Sequence, residues 1–330
     1  MSLRDRLIKN STIKETTLLS DSKIYAKKDV ITTRVPLINA ALSADFDGGL
    51  LPGLFLLAGP SKHFKSNFAI LMAKAFMDKN PDGVILFYDS EFGTPESYFK
   101  DMNIDNIVHT PIMDVEQLKH DIVNQLKSIE KNDKVFILVD SLGNLASKKE
   151  LDDAEEGKTV ADMTRAKSFK SLFRMVTPYL NTKDIPMVAI MHTYDTMEMY
   201  SKQVVSGGKG AYYSANVIWI IGRQQDKDST GLKGYRFIIN IEKSRFVKEG
   251  SKFPITVSFD GGIDKYSGIY DLAVEAGYIV KSGGWCQIKD LKTGELAEQK
   301  IRESNITEEW LDELIKSENF KKYIKDMYAL

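Results

Sequence analysis

The chain has 330 residues, with 45 basic against 46 acidic side chains and a formal net charge of −1 at pH 7. Its 43% hydrophobic and 28% charged content is that of a globular protein, which excludes a disordered chain, and at ~150 residues per domain the length suits about two domains. The balanced charge excludes a uniformly basic nucleic-acid binder, so any DNA-binding surface has to be local.

The lone cysteine, Cys286, cannot form an internal disulfide, which fits a reducing compartment. No apolar stretch approaches the ~20 residues of a membrane helix, and the opening MSLRDRLIKNSTIKE lacks a signal-peptide core, so a cytoplasmic protein is expected. The histidines His63, His109, His120 and His192 show no zinc-type spacing, and no zinc site is expected.

Residues 1–30 are polar and charged with scattered Leu and Ile, and read as a short helical arm that serves in oligomerisation. From 31 to 262 short apolar runs alternate with amphipathic helices. The runs lie at 54–58 (LFLLA), 84–88 (VILFY), 135–139 (VFILV), 187–191 (MVAIM) and 216–221 (NVIWII). Continuous apolar runs of this length suit strands buried on both faces, as in parallel sheets.

Helical stripes fall between them: Phe68, Leu71, Met72, Ala75 and Phe76; Leu118, Ile122, Leu126 and Ile129; Phe169, Leu172, Phe173, Val176 and Leu180. Asp114 and Gln117 are spaced for a capping box at the second stripe. This alternation predicts a doubly wound α/β core. Runs at 235–241 and 253–259 have no helix between them and predict antiparallel strands added to one sheet edge. Residues 263–330 form a small C-terminal region in which Thr307 is placed to cap a helix.

The segment Gly59, Pro60, Ser61, Lys62, His63, Phe64, Lys65, Ser66, Asn67 follows an apolar strand and opens a helix. Backbone N–H groups at such a helix start face an anion. Lys65 would reach the β- and γ-phosphates, and the Ser66 hydroxyl would hold Mg²⁺. The phosphate-loop pattern wants glycine where Phe64 stands, so the same residues also fit an ordinary strand-to-helix loop with a solvated lysine.

Three strand ends carry polar groups, and strand ends are where an α/β sheet binds ligands. Asp140 ends one apolar run and is placed to hold Mg²⁺, or to serve as a helix cap or a loop aspartate. Glu91 follows another, as a base for attacking water or as a surface carboxylate. His192 ends a third, as a γ-phosphate sensor or a structural histidine.

Together the stretches FLLAGPSKHFKSN, LFYDSEFG, VDSLGNLASKKE, MTRAKSFKSLFR, GGKGAYYSA, NIEKSR and FDGGIDKYSG resemble the RecA/Rad51 recombinase family, and within it the phage UvsX branch. They run in the family's order over roughly residues 1–285. The phage branch shares the loop without its second glycine.

The resemblance implies a RecA-like phosphate-loop ATPase fold with a doubly wound, mostly parallel sheet and antiparallel edge strands. It also implies ATP and Mg²⁺ as cofactors. Lys65, Ser66 and Asp140 match the phosphate and Mg²⁺ ligands, Glu91 the catalytic carboxylate, and Tyr98 the aromatic beside adenine. His192 falls at the γ-phosphate sensor, where bacterial members carry glutamine. Lys243 and Arg245 match basic residues that reach a neighbouring subunit's nucleotide, although a solvated strand end would look the same.

Two loops, 147–167 and 193–211, match the family's DNA-binding loops. The first holds Lys148, Lys149, Lys158, Arg165 and Lys167 against six acidic residues, a mixed surface that reads as mobile. DNA binding is expected from Lys148, Lys149, Arg165, Lys167, Lys170 and Arg174 with Lys202, Gly207, Gly208 and Lys209 of the second loop. A surface loop that is disordered until DNA arrives is the other reading of that second loop.

The function implied is an ATP-dependent recombinase that forms helical filaments on single-stranded DNA and exchanges strands with a homologous duplex. Its partners would be single- and double-stranded DNA, further copies of itself, a recombination mediator and a single-strand-binding protein. Its place would be the cytoplasm of the infected host. A ring-shaped helicase or translocase of the same superfamily, and a nucleotide-gated scaffold that coats DNA without exchanging strands, are the alternatives.

Overall fold

The computed structural model describes residues 1–22, 28–101, 103–157, 164–196, 203–228 and 231–330. The arm begins with α1 (Leu3–Lys9), held by a capping box in which Ser2 and Asp5 exchange side-chain and backbone hydrogen bonds, and it buries no residue. A helix α2 (Pro36–Ser43), buried almost throughout, opens the core.

Alternation then follows: β1 (Gly53–Ala58), α3 (Lys65–Lys79), β2 (Val84–Asp89), α4 (Glu96–Asp101), β3 (Ile107–Pro111), α5 (Val115–Ser128) and β4 (Val135–Asp140). Next come α6 (Lys148–Glu155), α7 (Thr164–Thr182), β5 (Pro186–Met191), the short β6 (Thr193–Asp195) and β7 (Gln203–Val205), and α8 (Lys209–Ser214). The strands β8 (Val217–Asp228), β9 (Gly231–Ser244), β10 (Lys252–Ser258) and β11 (Gly262–Ile263) complete the sheet.

The strand order is β11-β10-β9-β8-β1-β5-β4-β2-β3. From β8 to β3 neighbouring strands run parallel, and β9, β10 and β11 extend the edge antiparallel, as the sequence predicts. Alternate residues of β1 enter opposite layers. Phe55 and Leu57 pack with α2 and α3, while Leu54, Leu56 and Ala58 pack with α5 and α7. That two-sided burial is why the central runs are apolar without a break.

The edge strand β3 and helix α4 escape sequence reading. Ile107–Pro111 (IVHTP) is only half covered and has no long apolar run to betray it. At α5 the Asp114 carboxylate accepts the Gln117 N–H at 2.7 Å, but the Gln117 side chain caps the Met113 N–H instead of closing a box on Asp114.

The C-terminal region holds α9 (Ile269–Glu275), the hairpin β12 (Ile279–Ser282) and β13 (Trp285–Ile288), then α10 (Glu308–Lys316) and α11 (Glu318–Tyr328). Thr307 caps α10 by accepting the Trp310 N–H. This region continues the layer of α2 and α3: Phe320 meets Phe46 with ring centroids 5.6 Å apart, and Tyr328 meets Phe253 at 4.5 Å. Among the described residues no helix is long and apolar enough to cross a membrane.

Candidate nucleotide site and DNA-facing loops

The loop from Gly59 to Phe64 leaves β1 and enters α3 at Lys65. Gly59 has φ +156°, and a Cβ there would sit 2.9 Å from the Ile221 carbonyl, so only glycine fits beside β8. Phe64 keeps the left-handed backbone expected of the missing glycine, with φ 61° and ψ 17°. Its ring stacks on Phe237 at 5.0 Å and meets the edge of Phe68 at 5.3 Å. Packing thus holds a conformation that glycine would adopt without help.

Lys65 is buried at the helix start, and its Nζ donates to the Pro60 carbonyl at 2.7 Å. Burial lowers the pKa of its ammonium, against the pull of Glu91 and Asp140. Ser66 Oγ donates to Asp140 Oδ2 at 2.7 Å. Asp140 is 4% exposed, and its Oδ1 has no hydrogen-bond partner among the described residues.

Desolvation pushes the Asp140 carboxyl up to about 6, with Glu91 and Asp89 adding to the shift and the Ser66 hydrogen bond opposing it. A hydroxyl beside a desolvated carboxylate with one orphaned oxygen is a hard-oxygen donor pair suited to Mg²⁺. Ser66 and Asp140 would hold the ion there.

Glu91 lies across the same cavity of about 150 Å³, which is also lined by Lys62, His63, Asn67 and His192. Glu91 Oε1 accepts from Ser141 Oγ at 2.7 Å and faces His192 Nε2 at 3.2 Å. Residues that directly follow β4 and β5 therefore meet at one carboxylate oxygen.

Asp89 and Ser141 are residues that sequence reading missed. Asp89 is buried, its Oδ1 accepts the N–H groups of Glu91 and Phe92 at 3.0 and 2.8 Å, and its Oδ2 faces His109 Nε2 at 3.3 Å. It sets the turn that aims Glu91. The signal was present in DSE, where an aspartate two residues ahead can accept the backbone N–H. If the site hydrolyses a nucleoside triphosphate, Asp89→Ala is expected to lower kcat about 10- to 100-fold with little change in KM, and Asn to recover most of it. Steady-state kinetics check this, and an equal loss in both constants would reject the positioning role.

Tyr98 lies on α4, 44% exposed, and is not among the residues lining that cavity. Lys243 is engaged within its own chain. Its Nζ donates to the carbonyls of Tyr212, Tyr213 and Ala215 at 2.6, 3.3 and 2.9 Å and lies 5.3 Å from the Tyr212 ring. These carbonyls are the open end of α8, where a cation is favoured. Burial, helped by Arg245, lowers the pKa of its ammonium. Arg245 itself is exposed.

The described part of the first loop includes a helix. Ser147 and Glu150 form a capping box that starts α6, which carries Lys148 and Lys149, and Lys149 pairs with Asp153. Arg165 turns inward: its guanidinium donates to the carbonyls of Leu145 at 2.7 Å and of Gly143, and lies over Phe169.

Lys167, Lys170 and Arg174 are exposed along α7, and Lys209 is exposed at the start of α8. The two helices touch where Gly210 sits so close that a Cβ would come within 2.8 Å of Lys170 Cα. In the second loop β6 and β7 pair as an antiparallel ribbon leading to Gly207 and Gly208, the latter the N-cap of α8. Lys202 and Lys158 lie outside the described residues.

The chain is similar to known proteins. Residues 266–324 match the family model "Bacteriophage T4, Recombination and repair protein, C-terminal domain". The chain is 51% identical over 337 aligned positions to the "Recombination and repair protein" of Enterobacteria phage T4, covering 99% of this chain and 86% of that one. It is 23% identical to "Protein RecA" of Chloroherpeton thalassium, covering 88% and 85%. It is 26% identical to "Protein RecA" of Mycobacterium ulcerans, covering 72% and 68%.

Proposed function

The chain belongs to the family of phage recombination and repair proteins related to RecA, and on that footing we propose that it is an ATP-dependent DNA recombinase. It assembles as a helical filament on single-stranded DNA and pairs that strand with a homologous duplex. The observation that carries this reading is one cluster: Ser66 on Asp140, and His192 and Ser141 on Glu91, with both DNA-facing loops leaving directly from Asp140 and His192.

The loop amides and Lys65 bind the β- and γ-phosphates. Mg²⁺ held by Ser66 and Asp140 would neutralise charge on the transferring phosphoryl group. With Oε1 held by Ser141 and His192, Glu91 presents its other oxygen to the attacking water and takes its proton. His192 also touches the second DNA-facing loop, because its carbonyl accepts the Ser206 N–H at 2.9 Å. It therefore links γ-phosphate occupancy to that loop.

Lys167, Lys170, Arg174 and Lys209 contact the DNA backbone, while base pairing reads sequence. Tyr98 stacks beside adenine once the filament forms. The arm at residues 1–30 contributes to the contact between copies. A head-to-tail contact that does not close yields a helical filament. A recombination mediator and a single-strand-binding protein are partners, and the host cytoplasm is the place of action.

In the filament Lys243 and Arg245 reach the nucleotide of the adjacent copy, so Lys243 leaves the α8 carbonyls when a neighbour presents a γ-phosphate. ATP hydrolysis measured with and without single-stranded DNA, over a protein concentration series, tests the reading. Strong stimulation that rises cooperatively with protein is expected.

Lys243→Ala is expected to bind ATP yet lose about 10³-fold of DNA-stimulated turnover, the scale of a cation supplied in trans. Normal turnover in that variant would remove Lys243 from the site. Stimulation without concentration dependence would favour a preassembled ring, and DNA coating with no hydrolysis would favour a scaffold.

A further inference from the structure

Two non-glycine residues of the phosphate loop, Lys62 and Phe64, both have φ 61°. Side chains bearing a Cβ rarely hold that backbone unless their surroundings fix it. Both are tied to the same place, the β8–β9 ribbon beside β1. Phe64 stacks on Phe237 of β9 with ring planes 22° apart, and Phe68 closes the cluster edge-on at 6.2 Å from Phe237.

Tyr235, two residues earlier on β9 and hence on the same face, lies 6.1 Å from Phe237. Arg223 of β8 lies over the Tyr235 ring at 4.8 Å, and its Nη1 donates to the Lys62 carbonyl at 3.1 Å. One continuous stack therefore runs from the antiparallel edge to both left-handed residues.

We propose that Phe237 and Arg223 are positioning residues for nucleotide binding. Together they brace the phosphate loop in the conformation that its missing glycine would otherwise supply. Phe237 holds Phe64 at the N-cap of α3, and Arg223 holds Lys62 two residues earlier. The backbone amides that face the phosphates are then preorganised before nucleotide arrives, which raises affinity without adding a contact to it. The inference rests on the ATP assignment above. It gives the antiparallel extension of the sheet a task beyond covering an edge.

The test is binding of a fluorescent ATP analogue with Mg²⁺, alongside steady-state hydrolysis on single-stranded DNA, for the full chain. Phe237→Leu keeps an apolar side chain in the core but removes the ring. It is expected to weaken nucleotide binding about 10-fold, the scale of one strained backbone conformer, and to raise KM more than it lowers kcat. In a Phe64→Gly background, where the residue at that position needs no support, the further change Phe237→Leu is expected to shift affinity by less than about 2-fold.

Arg223→Gln, an exposed change that spares the core, is expected to raise KM several-fold with the DNA affinity kept. An undiminished loss from Phe237→Leu in the Phe64→Gly background would show that Phe237 acts through general packing and would overturn the proposal. So would unchanged affinity in both Phe237→Leu and Arg223→Gln. A wild-type chain that does not bind the analogue, or binds it no better than Lys65→Ala, would overturn the ATP assignment and the brace with it.

Discussion

Glu91→Gln is expected to slow ATP hydrolysis by about 10²- to 10⁴-fold, the contribution of a positioned general base, while ATP and DNA binding persist. Glutamine has the shape of glutamate and can still accept from Ser141 Oγ, which holds Oε1 at 2.7 Å. It cannot take a proton from water. If hydrolysis releases the proposed filament, a chain that binds nucleotide but does not turn it over should stay on DNA. Single-turnover hydrolysis beside a DNA-dissociation measurement checks both halves. Loss of ATP binding would instead give Glu91 a structural role in tying Ser141 and His192 together.

Asp140→Asn is expected to move stability and activity in opposite directions. The Asp140 carboxyl is buried, and its pKa is raised from 3.8 to about 6, chiefly by desolvation. Without Mg²⁺ the folded state therefore binds more protons than the unfolded state between about pH 4 and 6. Stability contributed by the protonated form is present below that window, is lost as pH rises through it, and stays lost above. Asparagine removes the charge, so the metal-free variant should be more stable than the parent at pH 8 by about 1–3 kcal/mol and should lack this pH dependence.

Hydrolysis with Mg²⁺ should fall by at least about 10²-fold if Asp140 holds the ion as proposed, because the ion would lose a ligand. Thermal unfolding in chelator from pH 4 to 8, with hydrolysis assayed in parallel, measures both. A variant less stable than the parent at pH 8 in chelator would show that the Asp140 charge is compensated in the folded chain. The trade is physically ordinary, since a site prepared for a cation is strained without one.

Much of the architecture was legible because its signals are local. An unbroken apolar run such as VFILV reads as a strand buried on both faces, and the structure buries all of Val135–Asp140. The phosphate loop is recognisable from its place between a strand and a helix, even with Phe64 where glycine belongs. Strand β3 was not legible, because half-covered edge residues carry no periodic signature.

The placement of the basic residues proposed to meet DNA was only partly legible. Charge counts cannot say that Arg165 turns inward to the carbonyls of the loop after β4 while Lys167 and Lys170 face out.

The local elements were thus written in the chain itself: strands, the strand-to-helix loop, strand-end carboxylates, and the residue types proposed to hold phosphate, Mg²⁺ and water. Convergence was not. Ser66 meets Asp140 across 74 residues, and Glu91 meets Ser141 across 50. These contacts depend on the order β1-β5-β4-β2, which places the right strand ends side by side. No run of neighbouring residues encodes that order, because it comes from how helices of both layers pack on a twisted sheet. The same holds for Phe64, whose unusual backbone makes sense only once Phe237 is folded against it.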